Sequence, residues 1–138
     1  MDLKYLANIR IPTERAHGYA IMKMCEQFSD NGLNVELIIP NKKNNTAVND
    51  PFLYYQIKKK FILTKIKSFD FLGLTEKFGR LLYWLDLFSY LVLLVFTKNF
   101  SSEDIIYTRD FLLLLPFSRK RNNICLEVHE LPNSLILF

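Results

Sequence analysis

LKYLANIRIPTERAHGYAIMKMCEQFSDNGLNVELIIP, residues 3–40, is the stretch that decides the fold. Residues 3–9 are an apolar run rich in strand-forming side chains and predict a first strand. Residues 16–31 carry apolar side chains at helical spacing, and Gly32 stands where a helix-ending glycine belongs. Residues 34–39 form a second apolar run. A strand, a helix and a strand in this order are the building unit of a parallel sheet, so the stretch predicts an α/β fold.

The rest of the chain predicts three more strands with helices between them. We expect a short helix from Asp50 to about Lys59, a third strand at an edge over 61–69, a helix over 75–98, a fourth strand over 104–108, a short helix over 110–117 and a fifth strand over 124–129. In the usual doubly wound order, strands 1, 4 and 5 are neighbours. The 138 residues suit one domain. We therefore predict a single Rossmann-like domain, residues 1–138, with a mostly parallel sheet and helices on both faces.

Residues 81–96 are almost wholly apolar and allow three interpretations. A membrane-spanning helix needs about 20 mainly apolar residues, whereas this run is shorter and contains Asp86. Polar side chains recur every three or four residues, at Glu76, Arg80, Tyr83, Asp86 and Tyr90. This polar stripe favours a core helix whose polar side faces water. A helix lying at a membrane surface and a membrane span are the alternatives.

The formal net charge of +4 is partly concentrated in clusters. The clusters are Lys58–Lys60, Lys65 with Lys67, and Arg119–Arg121. They suit either solvated turns or attraction to anionic lipid head groups beside apolar surface. No helix-turn-helix, zinc-finger or aromatic RNA-binding signature accompanies them, so we expect no nucleic-acid partner.

The cysteines and the N-terminus predict the compartment. Cys25 and Cys125 show no CxxC or framework spacing, which is typical of free thiols in a reducing compartment. The opening residues 1–4 lead straight into the first strand without the pattern of a signal peptide. We expect a cytoplasmic protein that can lie peripherally at the inner face of the membrane.

Several chemistries are excluded by missing motifs. The glycines, at 18, 32, 73 and 79, form neither a GxGxxG fingerprint nor a P-loop. The two histidines have no neighbouring Cys or His of a zinc site. The sequence also lacks a Gly-x-Ser-x-Gly elbow and an Asp-x-Asp pair.

Polar residues that could bind a ligand or take part in catalysis lie at the ends of predicted strands. The first strand leads into residues 13–18, the fourth ends at Thr108-Arg109-Asp110 and the fifth at His129-Glu130. Ligands bind an open parallel sheet beyond the carboxyl ends of its strands, near the point where strand order reverses, so we expect these ends to line one cleft. There His129 could exchange a proton near neutral pH, and Arg109 could pair with a phosphate or carboxylate.

His17 and Gly18 open the first predicted helix. A helix N-terminus offers unpaired N–H groups and partial positive charge, and a glycine leaves room for a ligand to approach the backbone. The alternatives are close helix–strand packing for Gly18, helix capping for His17, and ordinary satisfied polar groups for the strand-end residues.

The same segments resemble the N-terminal domain of family 4 glycosyltransferases. The likeness rests on residues 5–18, 21–26, Phe28, Gly32, 35–40, 106–110 (Ile-Tyr-Thr-Arg-Asp) and 127–132 (Glu-Val-His-Glu-Leu-Pro). It covers essentially the whole chain, with no specific motif over residues 41–103.

The resemblance implies the N-terminal half of a GT-B fold, in which two Rossmann-like domains enclose the active site. Such enzymes transfer a sugar from a nucleotide-sugar donor to an acceptor with retention of configuration, using no cofactor and no obligatory metal. Family acceptors are often lipid-linked or cell-surface glycans. The resemblance implies that His129 is catalytic and faces the transferred sugar. The substrate-binding residues that it implies are Glu14, Arg15, His17, Gly18, Arg109, Asp110 and Glu130.

The chain departs from the family in two respects. We expect it to be without the C-terminal domain that, by the resemblance, carries the nucleotide-sugar site, and its first loop keeps one glycine where many members are Gly-rich. We therefore expect a truncated acceptor-side domain that is inactive alone. Its expected partners are a nucleotide sugar, a glycan or lipid-linked acceptor, an anionic membrane surface, and a C-terminal half or a second copy. The alternative function is a non-catalytic, membrane-associated interaction module, which the 12 Phe and 7 Tyr and the basic clusters favour.

Overall fold

A computed structural model describes residues 2–43, 48, 50–58, 61–68, 75–117 and 123–128, with backbone only for 75–78. Its strands are β1 (Asp2–Leu6), β2 (Asn34–Pro40), β3 (Ile62–Ile66), β4 (Ile105–Thr108) and β5 (Asn123–Leu126). Its helices are α1 (Ala16–Asp30), α2 (Pro51–Tyr54), α3 (Thr75–Thr97) and a 3-10 helix (Phe111–Phe117).

The five strands form one parallel sheet in the order β3-β2-β1-β4-β5. The predicted Rossmann-like α/β fold is confirmed, with β3 at an edge and β1, β4 and β5 as neighbours. From β1 the chain adds β2 and β3 on one side and then β4 and β5 on the other. Strand order therefore reverses between β1 and β4, where an open parallel sheet forms its ligand crevice.

Helices cover both faces of the sheet because alternate strand residues point to opposite sides. On one face, Tyr5 and Leu37 pack with Ile21 of α1 in a buried apolar cluster. On the other face, Ile38 packs with Tyr90 of α3, and the 3-10 helix joins the same cluster. The Tyr90 hydroxyl donates a hydrogen bond to the Ile38 carbonyl at 2.9 Å.

The predicted end of α1 at Gly32 and the predicted start of α2 at Asp50 are confirmed. Gly32 follows α1 with φ of 87°, the left-handed region in which glycine carries no steric penalty. Asp50 caps α2, since its carboxylate accepts a hydrogen bond from the Phe52 N–H at 2.9 Å. α2 nevertheless ends at Tyr54, before the predicted Lys59, and Gln56 has a φ of 53° that no helix continues through.

Three further boundaries differ from the predictions. β1 ends at Leu6 instead of residue 9, and β5 ends at Leu126 instead of 129. The predicted helix over 110–117 is a 3-10 helix that begins at Phe111. Pro116 lies inside it and lacks the N–H that an α-helical turn would use, which favours the tighter form.

The predicted orientation of α3 is wrong for two of the four stripe members whose side chains the structure describes. Arg80 and Tyr83 are exposed, as predicted, whereas Asp86 and Tyr90 are buried against the sheet. The apolar side chains of Trp84, Phe88 and Phe96 are exposed. Hydrogen bonds on the sheet side explain the reversal, because a buried polar group that finds a partner no longer needs water. Tyr90 finds the Ile38 carbonyl, and Asp86 accepts a hydrogen bond from Lys42.

A buried ion cluster holds the C-terminal end of α3 on the sheet. Glu36 of β2 accepts hydrogen bonds from Lys4 at 2.9 Å, from Thr64 at 2.5 Å and from Lys98. Burial alone would raise the pKa of Glu36, but these hydrogen bonds outweigh it and hold that pKa at about 2.

Candidate functional site

A cleft of about 280 Å³ lies at the carboxyl ends of β1 and β4, where strand order reverses. Its lining includes Asn8, Ile9, His17, Thr108, Arg109 and Asp110. The cleft combines an amide, an imidazole, a guanidinium and a carboxylate. The structure thus brings together three of the sequence-predicted site residues: His17 from the first turn of α1, and Arg109 and Asp110 from the end of β4.

A second cleft, of about 340 Å³, adjoins the first and shares Asn8, Ile9 and His17 with it. Its other charged lining residues are Arg10, Arg15 and Lys42. The N-terminus of α1 lies beside them, with no side-chain cap from Arg15 and no acidic residue in its first turn. Helix N–H groups and cationic side chains together favour an anionic ligand.

Arg109 is held in place at the end of β4 by an ion pair. Its Nε donates to Glu127 at 2.8 Å, and the Tyr107 hydroxyl donates to the same carboxylate oxygen at 2.7 Å. Burial opposes the charge on Arg109, but the bond to Glu127 outweighs it and raises the pKa of the guanidinium. Among the described residues, the hydrogen bond to Glu127 uses one of the five N–H donors of the Arg109 guanidinium. The others can serve a ligand.

Asp110 has a structural role that the sequence did not predict. Its Oδ1 accepts a hydrogen bond from the Leu112 N–H at 3.0 Å and so caps the 3-10 helix. Its own N–H donates to Thr108 Oγ1 at 3.1 Å. The cap fixes the carboxylate at the rim of the first cleft.

Three polar side chains before and in the first turn of α1 face solvent. Glu14, Arg15 and His17 are all exposed. Arg15 and His17 line the clefts, whereas Glu14 belongs to neither lining. The loop between β1 and α1 therefore contributes positive charge to the site and directs its one carboxylate elsewhere.

Gly18 is buried, and protein atoms fill the space beside its Cα. A Cβ at this position would lie 2.4 Å from Thr13 Cγ2 and 2.5 Å from Tyr55 Oη. Tyr55 Oη is itself fixed, because it accepts from the Thr13 N–H at 2.6 Å and donates to the Thr13 carbonyl at 2.8 Å. Close packing, one of the two interpretations of Gly18, accounts for the glycine. Gly18 also lines the second cleft.

Lys42 is a site residue that sequence reasoning missed. Its Nζ donates to Asn8 Oδ1 at 3.0 Å and pairs with Asp86 Oδ2 at 2.5 Å. It thereby links the second cleft to the buried side of α3. Its position two residues after β2, at the carboxyl edge of the sheet, is the signal that could have identified it.

Some predicted residues lie outside the described part of the chain. These are the proposed catalytic His129, Glu130, Lys59, Lys60 and the Arg119–Arg121 cluster. The structure does describe β5, which runs parallel to β4 with Leu126 beside Thr108. Six of the predicted substrate-binding residues follow β1 or β4, and five of these line a cleft: Arg15, His17, Gly18, Arg109 and Asp110.

A larger cleft of about 690 Å³ lies away from the strand ends, beside α1 and α2. Two of its three charged lining residues are engaged within the protein: Lys23 pairs with Glu26 at 2.8 Å, and Asp50 caps α2. Tyr19 and Tyr54 supply much of the remaining wall. We place the candidate site at the strand ends, where the cationic groups and the helix N-terminus converge.

Among the residues that the structure describes, no group of three or more His, Cys, Asp or Glu side chains could hold a metal ion. Both cysteines are free thiols, Cys25 buried and Cys125 exposed. Burial raises the pKa of the Cys25 thiol far above its ordinary value, so this thiol is inert at neutral pH.

No family model, no curated protein and no solved structure matches this chain. Its function has to be inferred from the two clefts and the residues that line them.

Proposed function

We propose that this chain is the acceptor-side, N-terminal domain of a retaining glycosyltransferase that uses a nucleotide sugar. Its products would be glycans, lipid-linked oligosaccharides or cell-surface polysaccharides. The observation that carries the proposal is the pair of adjoining clefts at the strand-order reversal, with His17 common to both. The domain would sit in the cytoplasm or peripherally at the membrane and would need a C-terminal, donor-binding domain for turnover.

The second cleft supplies the electrostatics that such a transfer needs. Negative charge develops on the departing nucleoside diphosphate as the bond to the sugar breaks. Arg10 and Arg15, together with the N-terminus of α1, would stabilise that charge without a metal ion. We assign the diphosphate of the donor to this cleft.

The first cleft suits the hydroxyl groups of an acceptor. Asn8 and Asp110 offer hydrogen-bond acceptors, and Arg109 offers donors from a position that Glu127 fixes. A fixed group costs less conformational entropy when it binds a ligand, which favours a pre-organised acceptor site. His129 follows β5 in sequence, and we propose that it contacts the transferred sugar.

Nucleotide-sugar binding gives the first test of this proposal. We expect saturation-transfer NMR to detect contacts between the 138-residue chain and one member of a panel of UDP-, GDP- and ADP-sugars. Arg15→Ala should weaken the affinity by about tenfold, the effect of losing one charge-assisted contact to phosphate. Arg80→Ala, an exposed arginine on α3, is the matched control and should leave the affinity unchanged. Equal loss in both variants, or no contact with any donor, would contradict the assignment.

Sugar transfer gives the second test. The chain is supplied with the C-terminal half of a retaining GT-B enzyme, a radiolabelled nucleotide sugar and a membrane-lipid extract. We expect transfer only when both halves are present, and a fall of at least about a hundredfold with His129→Ala, the usual scale for a positioned catalytic side chain. Transfer that proceeds unchanged with His129→Ala would exclude the proposed role of His129.

A further inference from the structure

The outer face of α3 is an apolar surface that the described fold leaves uncovered. Its side chains are Leu81, Trp84, Leu85, Phe88, Val92, Val95 and Phe96. They recur at intervals of three and four residues and so form one continuous stripe along four turns. Phe88 is 66% exposed and Phe96 is 83% exposed, although burial of such rings is among the strongest contributions to folding.

This stripe is larger than chance exposure would produce. Seven large side chains side by side form a patch on the order of several hundred Å², and soluble monomers rarely expose one of that size unless it binds something. The segment Gly79–Thr97 has a mean hydropathy of 1.5, and by length and composition it could cross a membrane. Only 17% of this apolar segment is buried within the fold. We therefore expect an apolar partner to cover the exposed stripe.

Packing on the sheet excludes a helix that crosses the bilayer. The opposite side of α3 carries the hydrogen bond from Tyr90 to Ile38 and the ion pair of Asp86 with Lys42. A spanning helix would have to break both and bury the Asp86 carboxylate in hydrocarbon, which is costly. α3 can instead lie in the plane of a membrane interface while it stays on the sheet.

The charges that flank the stripe decide between a lipid surface and a second copy of the chain. Between Gly79 and Thr97 the one exposed charged side chain is Arg80, and Lys98 follows at the other end. Lys98 itself turns towards the sheet, where it pairs with Glu36, and so adds no free charge to this face. The described side chains of this face include no exposed carboxylate with which Arg80 of a second copy could pair, whereas anionic head groups would complement Arg80.

We propose that the outer face of α3 docks onto an anionic lipid bilayer, with the helix lying parallel to the membrane plane. The apolar stripe would enter the boundary between head groups and acyl chains. Trp84 and Tyr83 would lie at the head-group level, which these amphipathic rings prefer. Arg80 would contact lipid phosphates.

The docked face lies next to the candidate site. The 3-10 helix packs against α3, and its exposed Phe111 lines the first cleft. Tyr83 is close enough to Asp110 for their charges to interact. If the proposed function holds, the acceptor cleft would open beside the membrane, so its acceptor would be an amphiphile whose lipid tail stays in the bilayer.

Trp84 is the single tryptophan of the chain and reports on this surface directly. The full chain is titrated with vesicles of equal parts phosphatidylglycerol and phosphatidylcholine. We expect a blue shift of the Trp84 emission, co-flotation with the vesicles, and loss of both at high salt. Vesicles of phosphatidylcholine alone should bind at least about tenfold more weakly. This measurement needs no nucleotide sugar, so its outcome is independent of whether the chain supports sugar transfer.

Paired variants locate the contact on α3. Phe88→Glu combined with Phe96→Glu should reduce vesicle binding by at least about a hundredfold, because two charges would have to enter the apolar layer. Leu53→Glu places the same charge at an apolar residue that is 71% exposed on α2, and it should bind as the unaltered chain does. Thermal melting by circular dichroism establishes that each variant is folded. If the double variant is unfolded, Phe96→Glu alone replaces it in the vesicle-binding measurement.

Three outcomes would overturn the proposal. The first is a lack of Trp84 shift with anionic vesicles. The second is a shift that grows with protein concentration in the absence of lipid and vanishes in the Phe88 and Phe96 variants, which would identify a second copy as the partner. The third is equal loss of vesicle binding in the α3 variants and in Leu53→Glu.

Discussion

Glu36→Gln is expected to lower the free energy of unfolding by about 2 kcal/mol at pH 7. The substitution removes the one carboxylate that Lys4 and Lys98 share and leaves two ammonium groups facing each other beneath α3. Removing one partner of a buried ion pair typically costs about 3–5 kcal/mol, and the partial exposure of both lysines reduces that figure. Urea denaturation monitored by circular dichroism measures the difference.

The Glu36 contribution has a defined pH dependence. The pKa of Glu36 is about 2 in the folded protein against an ordinary value of 4.5, so the folded state favours the ionised form. Its stabilisation is therefore complete above about pH 4.5 and is lost as the pH falls towards about 2. We expect the difference in unfolding free energy between the unaltered chain and Glu36→Gln to be constant from pH 7 to 5 and to shrink below pH 4.5.

Glu103→Gln is the matched control, since Glu103 is exposed. Its effect should stay within about 0.5 kcal/mol at every pH, as is usual for surface positions. A Glu36→Gln variant as stable as this control, or a difference that widens on acidification, would show that the cluster does not stabilise the fold as described.

Gly18→Ala is expected to destabilise the chain by about 2 kcal/mol, although alanine is the better helix former. The added methyl group would meet Thr13 Cγ2 and Tyr55 Oη, and neither can move freely because two hydrogen bonds join Tyr55 to Thr13. The loop that shapes the second cleft would have to shift. Thermal melting of the variant measures the loss.

Gly79→Ala provides the comparison, because among the described residues no atom other than those of its chain neighbours and its own helix backbone lies within 4 Å of the position where its Cβ would be. Alanine at this helical site should be neutral or should stabilise by up to about 1 kcal/mol. Tyr55→Phe removes one of the two obstructing atoms, so the cost of Gly18→Ala should be smaller in that background. Identical costs for Gly18→Ala with and without the Tyr55 hydroxyl would rule out this contact as the cause.

Local sequence patterns were sufficient for the architecture. The strand–helix–strand order over residues 3–40 predicted the parallel sheet, and Gly32 and Asp50 marked a helix end and a helix start. These features depend on hydrophobic periodicity and on backbone preferences within a few residues, which any sequence displays directly. The neighbouring positions of β1, β4 and β5 followed from the handedness and usual order of such sheets.

The candidate site could be predicted in outline only. Strand-end reasoning identified His17, Arg109 and Asp110, and the structure brings them to one cleft. It could not show that Arg109 is paired with Glu127 or that Asp110 caps the 3-10 helix, because both depend on how distant backbone segments meet. Lys42 was missed for the same reason, since its partners Asn8 and Asp86 are far from it in sequence.

The sequence by itself determined which segments of this chain are strands and helices and that they build a parallel sheet, because those choices follow from short-range periodicity. The tertiary structure decided the direction in which α3 faces. Tyr90 and Asp86 face the sheet because their hydrogen-bond partners lie on that side. Tyr90 donates to the Ile38 carbonyl, and Asp86 accepts from Lys42. Leu87 and Leu94 pack on the sheet with them, and other large apolar side chains of α3, among them Phe88 and Phe96, face outward. A pattern of polar residues indicates that a helix has two faces, but only the partners across the interface fix which face is buried.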